Sequence, residues 1–115
     1  MSILQSVVET EAYLARAEKL MTDAERATVV DMVANNPTAG VLVPGLRGVR
    51  KMRIPLEGRG KRGGGRVIYW FHSEGLPVVL LYVFAKNEAS DLTPAQAKAL
   101  GKEVEGMAQQ FGKRR

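Results

Sequence analysis

Residues 66–85 read RVIYWFHSEGLPVVLLYVFA and contain the two strands on which the fold depends. The first of them, 66–72, has the β-branched and aromatic content that is typical of strands. A short turn, Ser-Glu-Gly, follows it at 73–75. The second strand, 78–85, is apolar throughout, which is expected of a central strand covered on both faces. This stretch therefore predicts the middle of a β-sheet.

A further strand is predicted just upstream, over 49–54, and the proline that follows ends it because proline cannot donate to a sheet ladder. The stretch 56–65 between the two strands reads as a loop of glycine, arginine and lysine. Residues 38–48 also read as a loop, with a turn signal at Pro44 and Gly45.

The N-terminal third predicts one strand and two helices. Residues 3–8 form the strand and residues 11–21 the first helix. Thr22 and Glu25 have the T-x-x-E spacing of a capping box, which opens the second helix. The Asn-Asn-Pro sequence at 35–37 ends that helix.

The C-terminal helix begins with Thr93 as its N-cap and Pro94 at its first position. Its inward residues are predicted to be Ala97, Leu100, Val104, Met107 and Phe111. The order β-α-α-β-β-β-α predicts an α+β fold, in which an N-terminal strand and a helix hairpin pack on a mostly antiparallel sheet with a C-terminal helix. With 115 residues, the chain is predicted to be a single domain, 1–115.

The composition excludes several kinds of site. The chain has no cysteine and one histidine, which rules out disulfides, thiolate chemistry and a two-histidine metal site. No pair of carboxylates has metal-binding spacing, and we expect neither a metal nor a cofactor. No apolar run reaches the roughly 18 residues of a transmembrane helix, and the first ten residues lack the pattern of a signal peptide. We therefore predict a cytoplasmic protein.

Positive charge is concentrated in one segment. Residues 47–66 hold eight basic residues and one acid, a net charge of +7 in a chain whose total is +5. Seven glycines lie between positions 45 and 65, where bare backbone lets a ligand approach closely. A concentrated basic stripe is typical of a polyanion site, so we predict RNA or DNA as the partner rather than a merely solvated surface.

Strand periodicity assigns these charges to faces of the sheet. Residues two apart share a face, so Lys51 and Arg53 lie together, and we expect Arg66 beside them on the open face. The opposite, buried side is formed by Met52, Ile54, Val67, Tyr69 and Phe71. Trp70 shares the face of Arg66 and is a candidate for stacking on a base, with core packing under the last helix as the alternative. Like charges about 4 Å apart repel by about 4 kcal/mol at an intermediate dielectric constant, so the cluster predicts a bound anion.

Such a cluster suits a metal-free ribonuclease. One group removes the proton of a ribose 2′-hydroxyl, arginines stabilise the charge that builds on the phosphate, and an acid protonates the leaving 5′-oxygen. Arginine offers a planar fork of donors for phosphate. Crowding by other cations favours a neutral amine, which makes Lys51 or Lys86 a candidate base. Phosphate binding without cleavage fits the same residues equally well.

Three segments carry a resemblance to a known family: GLRGVRKMR at 45–53, GRGKRGGGRVIYW at 58–70 and LLYVFAKNEASDLT at 80–93. They resemble the RelE/HigB toxins of bacterial toxin–antitoxin pairs, and in particular the HigB-like branch, over roughly residues 38–104. The resemblance implies a microbial-ribonuclease-like α+β fold and ribosome-dependent cleavage of mRNA. It also implies neutralisation by an antitoxin protein, in this branch usually one with a helix-turn-helix.

By the same resemblance, Lys51 and Arg53 match paired basic residues on the second strand of RelE, and Arg66 matches an arginine thought to hold the scissile phosphate. Lys86 stands at or beside a further active-site arginine, and we assign these four residues as catalytic. The residues that we assign to nucleic-acid binding are Arg47, Arg50, Arg59, Lys61, Arg62 and Trp70. RelE has a tyrosine where 89–93 has none. The general acid and base therefore stay open between Lys86, Asn87, Glu88 and His72.

Two other functions remain open from the residues. The related ParE branch shares the fold and inhibits DNA gyrase without nuclease activity, and a plain RNA-binding module also needs a basic face. Cations crowded on one sheet face favour the nuclease, because binding to a protein target alone does not require them.

Overall fold

The computed structural model describes residues 4–57, 63–89 and 91–112. The described elements are, in chain order, β1 (Val7–Glu9), α1 (Glu11–Leu20), α2 (Asp23–Asn35), β2 (Val41–Leu42), β3 (Val49–Ile54), β4 (Gly65–Trp70), β5 (Val78–Ala85) and α3 (Pro94–Gly112). The strands form one sheet in the order β1-β5-β4-β3-β2, in which β1 is parallel to β5 and the other neighbours are antiparallel. The predicted α+β fold is confirmed. None of the helices in these ranges is long and apolar enough to cross a membrane.

Capping residues begin all three described helices. Thr10 caps α1 through its side-chain oxygen. Thr22 and Glu25 exchange both hydrogen bonds of a capping box at the start of α2, and Thr93 and Gln96 exchange the corresponding pair before α3. A cap of this kind contributes roughly 1 kcal/mol to helix stability, so these short motifs fix where the helices start.

Helices cover the sheet from both sides. On one side, α1 and α2 pack on the sheet. The buried helix residues are Tyr13, Ala17, Val29 and Val33, and the buried strand residues include Met52, Ile54, Val67, Tyr69, Val78, Leu80 and Val83. On the other side, α3 packs through Leu100 and Val104 against Val49, Ile68, Trp70, Val79, Leu81 and Phe84. The predicted assignment of β3 and β4 side chains to a buried side under the helix pair is therefore confirmed. Each large apolar side chain buried in these clusters contributes about 1.5–3 kcal/mol.

The main differences from the sequence prediction are an added strand and the extents of two other strands. The segment 38–48, predicted as loop, contains the strand β2, which pairs with β3. A strand of two residues is too short to show the alternating pattern on which the prediction depended. The first strand is Val7–Glu9 rather than 3–8, of which 1–3 lie outside the described residues. The fourth ends at Trp70, two residues earlier than predicted.

Gly64 is the turn residue that leads into β4, and it has no room for a side chain. Its φ is +68°, and a Cβ there would lie 2.4 Å from the carbonyl oxygen of Ile54. We expect Gly64→Ala to lower the free energy of unfolding by about 2–3 kcal/mol, because the energetic cost of the positive φ and that of the clash add up. Urea denaturation followed by circular dichroism measures the loss.

Two glycines provide matched controls for that experiment. Gly45 has φ +82° and open space around its Cβ position, so Gly45→Ala isolates the backbone strain, about 1 kcal/mol. Gly75 has neither a positive φ nor a neighbouring atom within 4 Å, and its alanine variant should match the wild type. Equal losses at Gly45 and Gly64 would show that the clash is relieved without cost.

Candidate active site

The site lies on the sheet face that α3 covers. It begins next to the row formed by the core residues Val49 and Trp70. These two residues are register partners in β3 and β4. Moving along the same face, Lys51 is opposite Ile68, and Arg53 is opposite Arg66. Side chains directly opposite in antiparallel strands have Cβ atoms about 4.5–5.5 Å apart. The predicted grouping of Lys51, Arg53 and Arg66 on one face is therefore confirmed.

Arg66 is almost enclosed at this position. The residue is only 8% exposed, and its Nη1 donates to the carbonyl oxygen of Gly65 at 2.9 Å. Within the described part of the chain, no carboxylate forms an ion pair with Arg66 or with Arg53 opposite it. Like charges placed directly opposite destabilise a sheet, and an enclosed cation without a counter-ion is costly. An anion on this face would remove both penalties.

Lys86 lies at the same end of the sheet. It follows β5, in which Phe84 is the register partner of Arg66. Its backbone N–H donates to the carbonyl oxygen of Gly64 at 3.0 Å, and its Cγ lies 3.2 Å from the Cβ position of Gly63. The turn after β5 is thus joined to the turn before β4, and an exposed lysine is held next to the start of the strand that carries Arg66.

A carboxylate that the sequence did not single out, Asp91, also belongs to the site. Its Oδ2 lies 3.1 Å from Nζ of Lys51, and its Oδ1 accepts the backbone N–H of Leu92 at 2.8 Å. The Leu92 N–H is the largest cause that lowers the pKa of Asp91; the hydrogen bond from Lys51 follows, and the charge of Lys86 adds to it. Asp91 is therefore an ionised carboxylate at neutral pH. Lys51 is not crowded by cations alone, which removes the premise on which it was predicted to be a base.

Arg16 and Glu88 brace the turn that carries Lys86. The Nη2 of Arg16 is paired with Oε1 of Glu88, its Nε donates to the carbonyl oxygen of Val83 at 3.2 Å, and its guanidinium lies 5.6 Å from the ring centre of Tyr82. The same Glu88 oxygen accepts the Ala85 N–H at 2.8 Å. Glu88 is thus engaged in holding the turn. Arg16 gave no signal in the sequence, because it lies on α1, 72 positions from Glu88.

Some residues predicted to bind nucleic acid lie elsewhere. Trp70 is 1% exposed and belongs to the core beneath α3, so the prediction of base stacking is corrected to core packing. Arg50 lies on the opposite face from Lys51, where its guanidinium donates to the carbonyl oxygens of residues 38 and 40. Arg47 is exposed in the turn before β3, at the other end of that strand from Arg53.

The remaining predicted residues are three cations of the glycine-rich loop and His72. Arg59, Lys61 and Arg62 lie outside the described residues, so their contribution to binding stays a prediction. His72 is exposed beyond the far end of β4. It lies six positions after Arg66 in an extended stretch, which corresponds to about 20 Å, so His72 is not the missing acid or base of this cluster.

The assembled face combines Arg53, Arg66, Lys51 and Lys86 with one carboxylate. Paired arginines can hold the non-bridging oxygens of a phosphodiester, and a lysine ammonium can donate a proton to an adjacent oxygen. Among the residues that the structure describes, no group of three histidine, aspartate or glutamate side chains is placed to hold a metal ion. The chemistry that this face offers is that of cations and transferable protons.

Comparison with known proteins identifies the family of the chain. A sequence model described as the RelE toxin of the RelE/RelB toxin–antitoxin system matches residues 9–113. The fold is similar to that of the E. coli toxin RelE, solved in the free state as a double arginine-to-alanine mutant. The TM-score is 0.55 at 18% identity, over 76% of this chain and 90% of that chain; at this identity the likeness concerns the fold alone. Because the family match covers most of the chain, the protein belongs to the RelE family of toxins from toxin–antitoxin systems.

Proposed function

We propose that this toxin cleaves mRNA in the ribosome by attack of a ribose 2′-hydroxyl on the adjacent phosphodiester, without a metal ion. The observation that carries the proposal is the placement of Arg53 and Arg66 as register partners on one sheet face, with Lys51 in the next row. Membership of the RelE family supports an antitoxin partner and a ribosomal target.

Arg66 and Arg53 hold the scissile phosphate in this proposal. The Arg66 guanidinium is fixed by its bond to the Gly65 carbonyl and by the enclosure of its stem. It therefore loses little freedom when it binds an oxygen on which negative charge develops, and such preorganised donors give the largest catalytic effects. Arg53 is exposed and supplies a second cation from the opposite strand.

Protons are handled by the two lysines. Lys51 is paired as an ammonium with Asp91, so we assign to it the donation of a proton to the leaving 5′-oxygen. The proton of the 2′-hydroxyl passes to a second group, for which Lys86 is the candidate that this site offers. The 2′-oxygen bonds to phosphorus as the bond to the 5′-oxygen breaks, which leaves a 2′,3′-cyclic phosphate and a 5′-hydroxyl.

The ribosome positions the mRNA in this account. Cations bind phosphates irrespective of sequence, and the aromatic side chain predicted to stack on a base, Trp70, is buried. We assign additional phosphate contacts to Arg47 and to the loop residues Arg59, Lys61 and Arg62 on the strength of their charge. We also predict that the antitoxin is a helix-turn-helix protein encoded beside the toxin, which the HigB-like motifs support.

Expression without the antitoxin tests the proposal. Growth should arrest, and new mRNA 5′ ends should map inside translated codons of a reporter. The same reporter without its start codon is the matched control and should stay intact, because it is not presented by ribosomes. Growth arrest with an intact reporter would contradict the proposal and favour a toxin that acts by binding another target, such as gyrase.

A further inference from the structure

Asp91 is placed to control the direction of the Lys51 side chain. Its two oxygens divide their bonds: Oδ1 accepts the Leu92 N–H at 2.8 Å, and Oδ2 meets Nζ of Lys51 at 3.1 Å. We infer that Asp91 is a positioning residue, which orients the Lys51 ammonium for proton transfer to the substrate and does not itself touch the reacting atoms. The inference rests on the proposed function, in which Lys51 is the general acid, and it names the residue that orients this acid.

The carboxylate is anchored through the residues that follow it in the chain. Leu92, the next residue, packs against the core cluster on the α3 side of the sheet. Thr93 then closes the capping box with Gln96 that begins α3. Asp91 therefore projects from a segment fixed by apolar packing and by a helix start, which makes it a stable reference point for a long side chain.

Lys51 needs such a reference point. Ordering a lysine side chain costs about 1.5–2 kcal/mol of rotamer entropy, and Lys51 shares its sheet face with two other cations, Arg53 and Arg66, that repel it. The residues of successive rows on one face are about 6.5–7 Å apart along a strand. The inference therefore assigns to Asp91 the task of holding the Lys51 ammonium one row from a phosphate bound by the two arginines.

The geometry does not favour two other roles for Asp91. The Leu92 N–H and the neighbouring lysines keep its pKa below the usual value, so it carries no proton to donate near neutral pH. Its bond to Leu92 also ties one oxygen to the backbone. The remaining oxygen is occupied by Lys51, which leaves orientation of that amine as its function.

A double-mutant cycle with Lys51 tests the inference. Single-turnover cleavage at saturating ribosome complexes should be about 10–100-fold slower for Asp91→Asn, with the half-saturating concentration unchanged and partial recovery in Asp91→Glu. In a Lys51→Ala background, Asp91→Asn should slow cleavage less than about threefold, because its effect passes through the missing amine. Asp31→Asn, an exposed change on α2, is the matched control and should match the wild type.

A second measurement does not depend on activity. NMR relaxation of the Lys51 ammonium in the free protein should show restricted motion in the wild type and increased motion in Asp91→Asn. Equal mobility would overturn the inference, as would an undiminished or faster Asp91→Asn enzyme or an equal effect in the Lys51→Ala background. A wild type that fails to cleave at all would instead contradict the proposed function.

Discussion

Replacing Arg66 by alanine is expected to slow mRNA cleavage on ribosomes by about 10²–10³-fold, equivalent to about 3–4 kcal/mol of transition-state stabilisation. Arg66 is 8% exposed and opposite Arg53, with one donor bonded to the Gly65 carbonyl. The proposed reaction places the scissile phosphate against this guanidinium. Single-turnover cleavage of ribosome-bound mRNA measures the loss, with folding of the variant verified by circular dichroism.

Two further variants separate geometry from charge. Arg66→Lys keeps the charge and loses the planar fork, so it should remain at least about tenfold slower than the wild type. Lys19→Ala also removes one positive charge, but from an exposed position on α1, which packs on the other side of the sheet; it should cleave at the wild-type rate. Equal losses for Lys19→Ala and Arg66→Ala would show that only net charge matters.

The second large effect is expected at Lys51. Loss of a general acid typically costs about 10²–10⁴ in rate, and Lys51→Ala should fall in this range. Lys51→Arg should stay nearly as slow, because a guanidinium does not release its proton near neutral pH. The dependence of the single-turnover rate on pH, measured for both variants, identifies the missing proton donor.

The control for Lys51 is Lys102→Ala, an exposed change on α3, which should leave the rate unchanged. Recovery of most activity in Lys51→Arg would contradict the assignment. It would mean that Lys51 contributes charge to the phosphate site and that the proton of the leaving group comes from elsewhere.

The sheet and its faces were predictable because they depend on short-range patterns. Alternation along β3 and β4 placed Lys51, Arg53 and Arg66 together. The Thr22–Glu25 capping box gave the start of α2, and the Thr93 cap with Pro94 gave the start of α3. The role of Trp70 was not predictable, since it depends on how far α3 extends over the face that Trp70 shares with Arg66. The alternation of side chains along a strand does not show which part of a sheet face a helix covers.

The candidate site was predictable only in its cations. Their clustering along 47–66 is visible in the sequence, whereas the partners that hold them come from tertiary contacts. Asp91 meets Lys51 only because the segment before α3 returns to β3. Arg16 reaches Glu88 from a helix on the other side of the sheet. Such pairings leave no local pattern, which is why the acid and base stayed open and why these residues were missed.

The most direct test of the proposed chemistry uses purified ribosomes carrying a defined mRNA. The wild-type toxin should cut this mRNA once within the presented codon, leaving a 2′,3′-cyclic phosphate, and should leave the same RNA uncut without ribosomes. A 2′-O-methyl group on the nucleotide before the cut should abolish cleavage there, since the attacking hydroxyl is blocked. Undiminished cleavage of the methylated mRNA at that position would contradict the account.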